Sequence, residues 1–335
     1  MAGQNSVWIR ASAAPRGRSA PDTRSTTPAA LRPNETSGGA NSSRPKRDPA
    51  AWSVGTLGKR RHGHSGRPQR GAEFPPMDIK YTGLRLGMRT LGRLSDGIRL
   101  GWETGFDSGR TLDYVYRKKA SGITPLGALM DRAYLDHPVW KAARLRRDVL
   151  VAQLRDALAG YDHPTLFDTA AGQGSYLFAL SPNGATIWAG DHSPDEVAQG
   201  NDRARSEGRT DIRFAYANAF DDATWPVGGI DVLVTSGFFD ILTEPEEFRK
   251  VLAAGTRASH PGSRWVFTMM EGHSDPTLLR EVLVNRDQKP WIAVLRPAED
   301  IVRWAAPLGW RLERLERERY GFFAVGTLVR AFPSR

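Results

Sequence analysis

The sequence predicts an α/β protein built on a doubly wound, mostly parallel sheet. Three observations carry that expectation. An apolar run, Thr165-Leu166-Phe167, passes through Asp168 and the turn Thr169-Ala170-Ala171-Gly172-Gln173-Gly174 into the helix-prone Ser175–Leu180. Further strand-like runs alternate with helix entries as far as residue 270. The chain then closes on two strand-like segments in succession. Alternating β and α units build parallel sheets, whereas a terminal hairpin adds its strands antiparallel.

Residues 1–76 are not domain material. They are dominated by Ala, Gly, Pro, Ser, Thr and Arg without sustained periodicity, so burial cannot offset chain entropy and disorder is expected. They hold 13 Lys+Arg and 4 Asp+Glu, which leaves 34 and 33 for the rest of the chain. The net charge of +10 therefore belongs to the tail, and the nearly neutral core offers no basic footprint for nucleic acid. Three readings of the tail compete: an arm for nucleic acid or an acidic surface, a transit peptide, or an over-extended gene start with initiation at Met77. The last is favoured, because Arg outnumbers Lys 39 to 8, as in a high-GC bacterial genome. Cysteine is absent, which excludes disulfides, a thiol nucleophile and thiolate metal sites; no metal is expected. No run approaches the ~20 apolar residues of a membrane span, and no signal-type segment opens the chain. A cytoplasmic protein is expected, with its oligomeric state unread.

Residues 77–140 are expected to form a helical cap ahead of a sheet domain at 141–335. Ser95–Gly109 is dense in glycine, aromatic and acidic residues. Leu112, Val115 and Tyr116 then follow at helical spacing, as do Leu126, Leu129, Met130 and Ala133, and Trp140–Leu158 reads as a further helix. Such a segment serves either as a lid over a bound ligand or as a wrap on the edge helices. Trp102, Phe106 and Tyr114 are expected to pack.

The sheet domain opens on the glycine turn. Seventeen positions beyond Gly174, Asp191 closes a second apolar strand (Ala185, Ile187, Trp188, Ala189). Its carboxylate is placed to accept two bonds from ribose hydroxyls. Ser193-Pro194-Asp195-Glu196 starts a helix as a capping box. Ile212–Tyr216 alternates like a strand, and Ile230–Val234 fits a buried central strand ending in Thr235-Ser236-Gly237-Phe238-Phe239. Thr243–Glu246 is another helix entry. His260-Pro261-Gly262 reads as a turn before a strand at Trp265–Thr268. A helix over Asp300–Ala306 stops at Gly309, and strands follow around Arg311–Glu318 and Phe322–Arg330.

The turn lacks the third glycine of a dinucleotide fingerprint, since Leu177 stands three places after Gly174. Asp168 instead stands four before Gly172 and six before Gly174. This resembles the D-x-G-x-G-x-G motif of class I S-adenosyl-L-methionine-dependent methyltransferases, with Ala170 at the first glycine. The departure is mild where φ at Ala170 is negative. The resemblance implies a Rossmann-like, seven-stranded sheet with an antiparallel C-terminal edge strand. It also implies that Asp168, Ala170, Gly172 and Gly174 hold the cofactor's amino-acid end, directly or through water. Asp191 and His192 would then serve ribose and adenine, Asn218, Ala219 and Phe220 the adenine, and Ser236 the strand-end rim. The Gly-Phe-Asp-Ser-Gly stretch at 105–109, Leu112–Tyr116, His273 and Lys289-Pro290-Trp291 are similar to a bacterial methyltransferase family over about residues 90–330. Some of its members are joined to an α/β-hydrolase domain, which this chain lacks.

Methyl transfer needs alignment more than a catalytic group, and a base only when the acceptor loses a proton on attack. His273, after the fifth strand, is the candidate base, with Glu271 nearby. The Asn/Asp-Pro-Pro-Tyr segment of many nitrogen methyltransferases is replaced by Thr235–Phe239, which suits an apolar small-molecule or lipid-like acceptor. Two other readings stay open: a non-catalytic methyltransferase-fold binding protein and an NAD-dependent oxidoreductase.

Overall fold

Seven strands, β1 (Thr165–Asp168), β2 (Thr186–Asp191), β3 (Ile212–Tyr216), β4 (Ile230–Thr235), β5 (Ser259–Met270), β6 (Trp310–Arg317) and β7 (Phe323–Arg330), form one sheet. Their spatial order is β3-β2-β1-β4-β5-β7-β6. This computed structural model describes residues 79–180 and 184–332; the tail expected over 1–76 lies outside the described residues. β1 to β5 are parallel, and β7 runs antiparallel to both neighbours. The antiparallel strand thus sits one place in from the rim, and β6 forms the edge. The strand order reverses between β1 and β4, which makes their carboxyl ends the switch point where open α/β sheets bind ligands.

Alternation of side chains along each strand builds two cores. Phe167, Leu233 and Phe267 face α7 (Pro245–Ala258) and α9 (Glu299–Ala305), while Leu166, Val232, Val234 and Val266 face α5 (Pro138–Leu158). Both faces are apolar, as a doubly covered sheet requires. A third core gathers Ile98, Trp102, Phe106, Val115 and Trp140 with Met270, Val282 and Phe323. It belongs to the cap: α1 (Ile79–Arg89), α2 (Asp96–Thr104), α3 (Gly109–Arg117) and α4 (Pro125–Leu135), with α8 (Pro276–Val282) from beyond β5. Trp102 and Phe106 pack as expected, edge to face at 5.3 Å. The boundary expected at 140/141 falls inside α5, whose first half serves the cap core and whose second half serves the sheet core.

Three local expectations need correction. Ser175–Leu180 does not form an α-helix: only a single 3₁₀ turn, Leu177–Ala179, is present. The segment spends its polar groups on tertiary bonds instead, Ser175 to Asp113 and Tyr176 to Asp168. No α-helix N-terminus therefore follows the turn there to offer unpaired N–H groups. His260-Pro261-Gly262 lies within β5 and not before it, with the register slipping between Ile230–Ser259 and Val232–Arg264. Ser193 caps α6 (Pro194–Ser206) by accepting from Glu196 N–H at 3.4 Å. The reciprocal half of the box is given up, because the Glu196 carboxylate turns to Gln173 and Arg110.

Candidate functional site

Every backbone group of the glycine turn that points inward is tied to a strand end. Thr169 N–H donates to Val234 O at 3.0 Å, and its hydroxyl pairs with Thr235 Oγ1 at 2.8 Å. Ala170 N–H donates to Asp168 at 3.2 Å, Ala171 N–H to Gly190 O at 2.8 Å, and Gly172 N–H to Asp191 Oδ2 at 2.8 Å. Gly172 and Gly174 have φ of +52° and +56°, where a Cβ is penalised, whereas Ala170 is not in that region. Alanine at the first motif position therefore carries no backbone strain. Gly190 was missed in the sequence. A Cβ there would lie 2.9 Å from both Asp168 O and the Ala217 Cβ, so the turn can approach β2 only past a glycine.

The two acids of the motif occupy the same end of the sheet but differ in state. Asp191, 7% exposed, accepts from Gly172 N–H and from Ser193 N–H at 2.9 Å, and lies 3.4 Å from His192 Nδ1. Burial pushes its carboxyl up, but the bonds from His192, Ser193 and Gly172 outweigh that and hold it below the usual range. The same contact raises the largely exposed His192. Asp168 is wholly buried, with the Tyr176 hydroxyl and Ala170 N–H as its donors. Burial pushes its carboxyl up to about 7, only partly opposed by those donors, and the Asp191 charge adds to the rise. Asp168 is closed off from solvent and bonds to the turn from beneath.

The loop after β3 reaches the same end, since Ala217 N–H donates to Asp191 O at 2.9 Å. Asn218 closes its own turn, Oδ1 accepting from Phe220 N–H at 3.0 Å while its carbonyl accepts from Trp225 Nε1 at 2.8 Å. Ala219 is buried in the core, and Phe220 meets Phe238 at 5.7 Å between ring centroids. Ser236, half-buried, follows β4. Asp191, the 217–220 loop and the loop after β4 are thus linked. His273 takes no part in these contacts. Its Nδ1 accepts from Asp275 N–H at 2.9 Å, and its ring stacks on His137 and Phe322. Burial and the neighbouring His137 lower its pKa, which leaves a neutral imidazole with a buried, unpartnered Nε2. Glu271 is structural, bonded to Arg317 and to Ala298 N–H.

Sequence reading missed how the cap meets the turn. A Cβ on Gly109 would lie 3.7 Å from Gly172 Cα, so the start of α3 rests directly on the glycine turn. Asp113 fastens it, accepting from the Ser175 hydroxyl and pairing with Arg203 at 3.6 Å. One turn on, the Tyr116 hydroxyl accepts from Arg146 at 2.9 Å. Arg146 is buried in α5, pairs with Asp240 at 3.1 Å and lies over the Phe323 ring. Burial raises the Asp240 carboxyl to about 6 despite Arg146 and a 2.6 Å bond from Met270 N–H. Asp113 and Tyr116 lie in the stretch singled out above, but a buried arginine on an amphipathic helix leaves no mark in a sequence. A cavity of about 290 Å³, lined by Gln153, Asp156, Arg264, Glu313, Arg314 and Thr327, lies away from these loops.

A family described as "Putative methyltransferase" matches residues 57–330. The chain belongs to this methyltransferase family. The matched span takes in cap and sheet together and starts inside the stretch expected to be tail. The uncharacterized protein YnbC of Escherichia coli is 29% identical over 266 residues, covering 76% of this chain and 46% of that protein. The chain thus spans about half the length of the curated relative it matches. Among solved structures, a possible exported protein from Bordetella parapertussis aligns at a TM-score of 0.54 and 18% identity, covering 66% of this chain and 79% of that one. Magnesium protoporphyrin IX methyltransferase from Synechocystis aligns at 0.48 and 16%, covering 68% and 98%. At 18% identity the likeness to the Bordetella protein speaks for the fold alone.

Proposed function

We propose that this protein transfers a methyl group from S-adenosylmethionine to a small-molecule or lipid-like acceptor. One observation carries the reading: an ionised Asp191 bonded to the turn whose glycines take positive φ, at the switch point of the sheet. A carboxylate offers about four acceptor positions. Gly172 takes one on Oδ2, while Ser193 and His192 both address Oδ1, so Oδ2 keeps a position for a ribose hydroxyl. The residues fit that group.

Bound there, the sulfonium supplies an electrophilic methyl on a neutral leaving group. The protein's part is alignment, which can contribute roughly 7–11 kcal/mol without a catalytic side chain. Asn218 and Phe220 take the adenine side, Ala219 backs that loop from the core, and His192 borders the ribose. Asp168, through Ala170 and the turn, positions Gly172 and Gly174 for the amino-acid end, with Ser236 at the rim. The cap, residues 77–140, acts as the lid on the sheet domain at 141–335, excluding water through α3. Where the acceptor loses a proton, His273 is the proposed base: its lowered pKa supports a neutral imidazole, and Nδ1 must give up the Asp275 N–H to take the proton, because Nε2 carries the ring's own. His273→Ala is expected to lower turnover by ~100-fold or more at unchanged cofactor affinity; unchanged turnover removes it from the reaction.

Calorimetry with S-adenosylmethionine, its demethylated product and NAD tests the whole reading. The first two are expected to bind and NAD not. NAD binding without S-adenosylmethionine binding reverses the assignment, and cofactor binding without methylation of any acceptor leaves a non-catalytic binding protein.

A further inference from the structure

The cap's outer face inverts the usual polarity of a helix. In α4 the buried positions are Gly127, Asp131 and Leu135. Asp131 takes bonds from the hydroxyls of Ser95 (2.6 Å) and Tyr114 (2.5 Å) and from Gly97 N–H (2.8 Å) and Ser121 N–H (3.0 Å). Leu126 and Leu129, in contrast, are 54% and 63% exposed. Leu84 and Leu86 on α1, Leu91 on the turn after it and Ile123 before α4 are exposed as well. Seven of the eleven large apolar side chains exposed among the described residues lie between residues 79 and 129. The turn at Leu91–Leu94 packs against both α1 and α4, so the segments that carry these side chains adjoin one another. Apolar patches of this kind mark a surface that meets something.

Charge says what it meets. Residues 79–94 and 118–133 carry seven Lys+Arg, and their single acidic residue, Asp131, is the buried one. Arg93, Lys118, Lys119 and Arg132 are exposed and make no ion pair among the described residues. Outward leucines set among uncompensated cations are the signature of a surface that lies in a lipid interface, with the apolar groups in the acyl boundary and the cations at anionic headgroups. No helix among the described residues is long and apolar enough to cross a membrane, so such contact is peripheral. We propose that the outer face of α1, the Leu91–Leu94 turn and α4 docks the protein on an anionic lipid bilayer. The proposal does not depend on the cofactor reading.

The test is sedimentation of the full chain with phosphatidylglycerol–phosphatidylcholine vesicles and with phosphatidylcholine alone. Binding is expected on the anionic vesicles and weakly on the neutral ones. Leu126→Asp with Leu129→Asp is expected to weaken it by at least about tenfold, and Lys118→Glu with Lys119→Glu by about tenfold. Both pairs are exposed, so the melting temperature should hold. Binding untouched by the leucine pair and abolished by salt would be the work of the basic tail alone and overturns the proposal. Equal binding to both vesicle types, or none, does the same. So does a dimer in solution that the leucine pair splits, because the face is then a contact between copies of this chain. Since the chain has no cysteine, a fluorophore on Leu129→Cys gives a second readout. Its emission should shift blue on anionic vesicles, while the same label on Leu312→Cys at the β6 edge should not respond; equal responses refute the docking face.

Discussion

Asp168 and Asp191 end neighbouring parallel strands, and both side chains are nearly lost to solvent, yet burial governs one and bonding the other. Asp191 gathers two backbone N–H groups from segments that must fold back at that point, together with His192, and it stays ionised. Asp168 gathers one backbone N–H and a phenol beneath the sheet rim, which does not repay the removal of its charge from water. Two acids that look equivalent in a motif are therefore two devices. Asp191 keeps its charge at the sheet end, and Asp168 serves the turn.

Removing Asp191 should have the largest effect. Asp191→Ala deletes an acceptor of charge-assisted bonds, each worth about 1.5–3 kcal/mol, and releases Gly172 N–H. Affinity for S-adenosylmethionine is expected to fall by ~100-fold or more in calorimetry, and a loss below about fivefold would erase the distinction. Asp168→Asn should leave affinity within a few-fold and show itself in stability against pH. The folded pKa of Asp168, about 7, lies above the unfolded carboxylate value, so the folded state holds its proton longer and stability falls as pH rises from about 4 to 7. Asp240, raised to about 6, contributes the same sign. Asp191, lowered, contributes stability that is lost as pH falls below about 4. Denaturant titrations of the Asn variant should show a flatter decline between pH 4 and 7, by a few kcal/mol at most. An unchanged slope would mean that Asp168 ionises freely.

Smaller effects test the scaffold that separates the two acids. Gly174→Ala places a Cβ at positive φ within 3.1 Å of the Phe214 ring and should cost about 1–2 kcal/mol of stability. Tyr116→Phe removes the acceptor from Arg146 and should cost about 0.5–1.5 kcal/mol. It should show as faster amide exchange in α3, with the strands unaffected. Exchange that speeds equally in β1 would mean that cap and turn open as one unit.

Much of this could be read from the residues alone. The strands, the glycine turn and Asp191 were legible because alternation, positive-φ glycines and capping residues act over a few neighbours. The failures share one cause. Ser175–Leu180 carries helix-forming residues, but Asp113 and Asp168 claim its polar side chains from 62 and 8 positions away. His260–Gly262 holds a turn sequence and bulges past β4, but the strand begins before it because Ser259 already pairs with Ile230. The spacing of Leu126 and Leu129 marks a helix correctly and misleads about its inner face, because Asp131 finds four donors there.

By itself, then, the sequence determined which segments become strands and helices and where an acid closes a strand beside the glycine turn, since local sterics and periodicity decide those. Tertiary structure alone decided which acid keeps its charge, that α3 lies on the glycine turn, and which side of the cap faces outward. Those outcomes depend on desolvation and on partners far along the chain, and no local pattern encodes either.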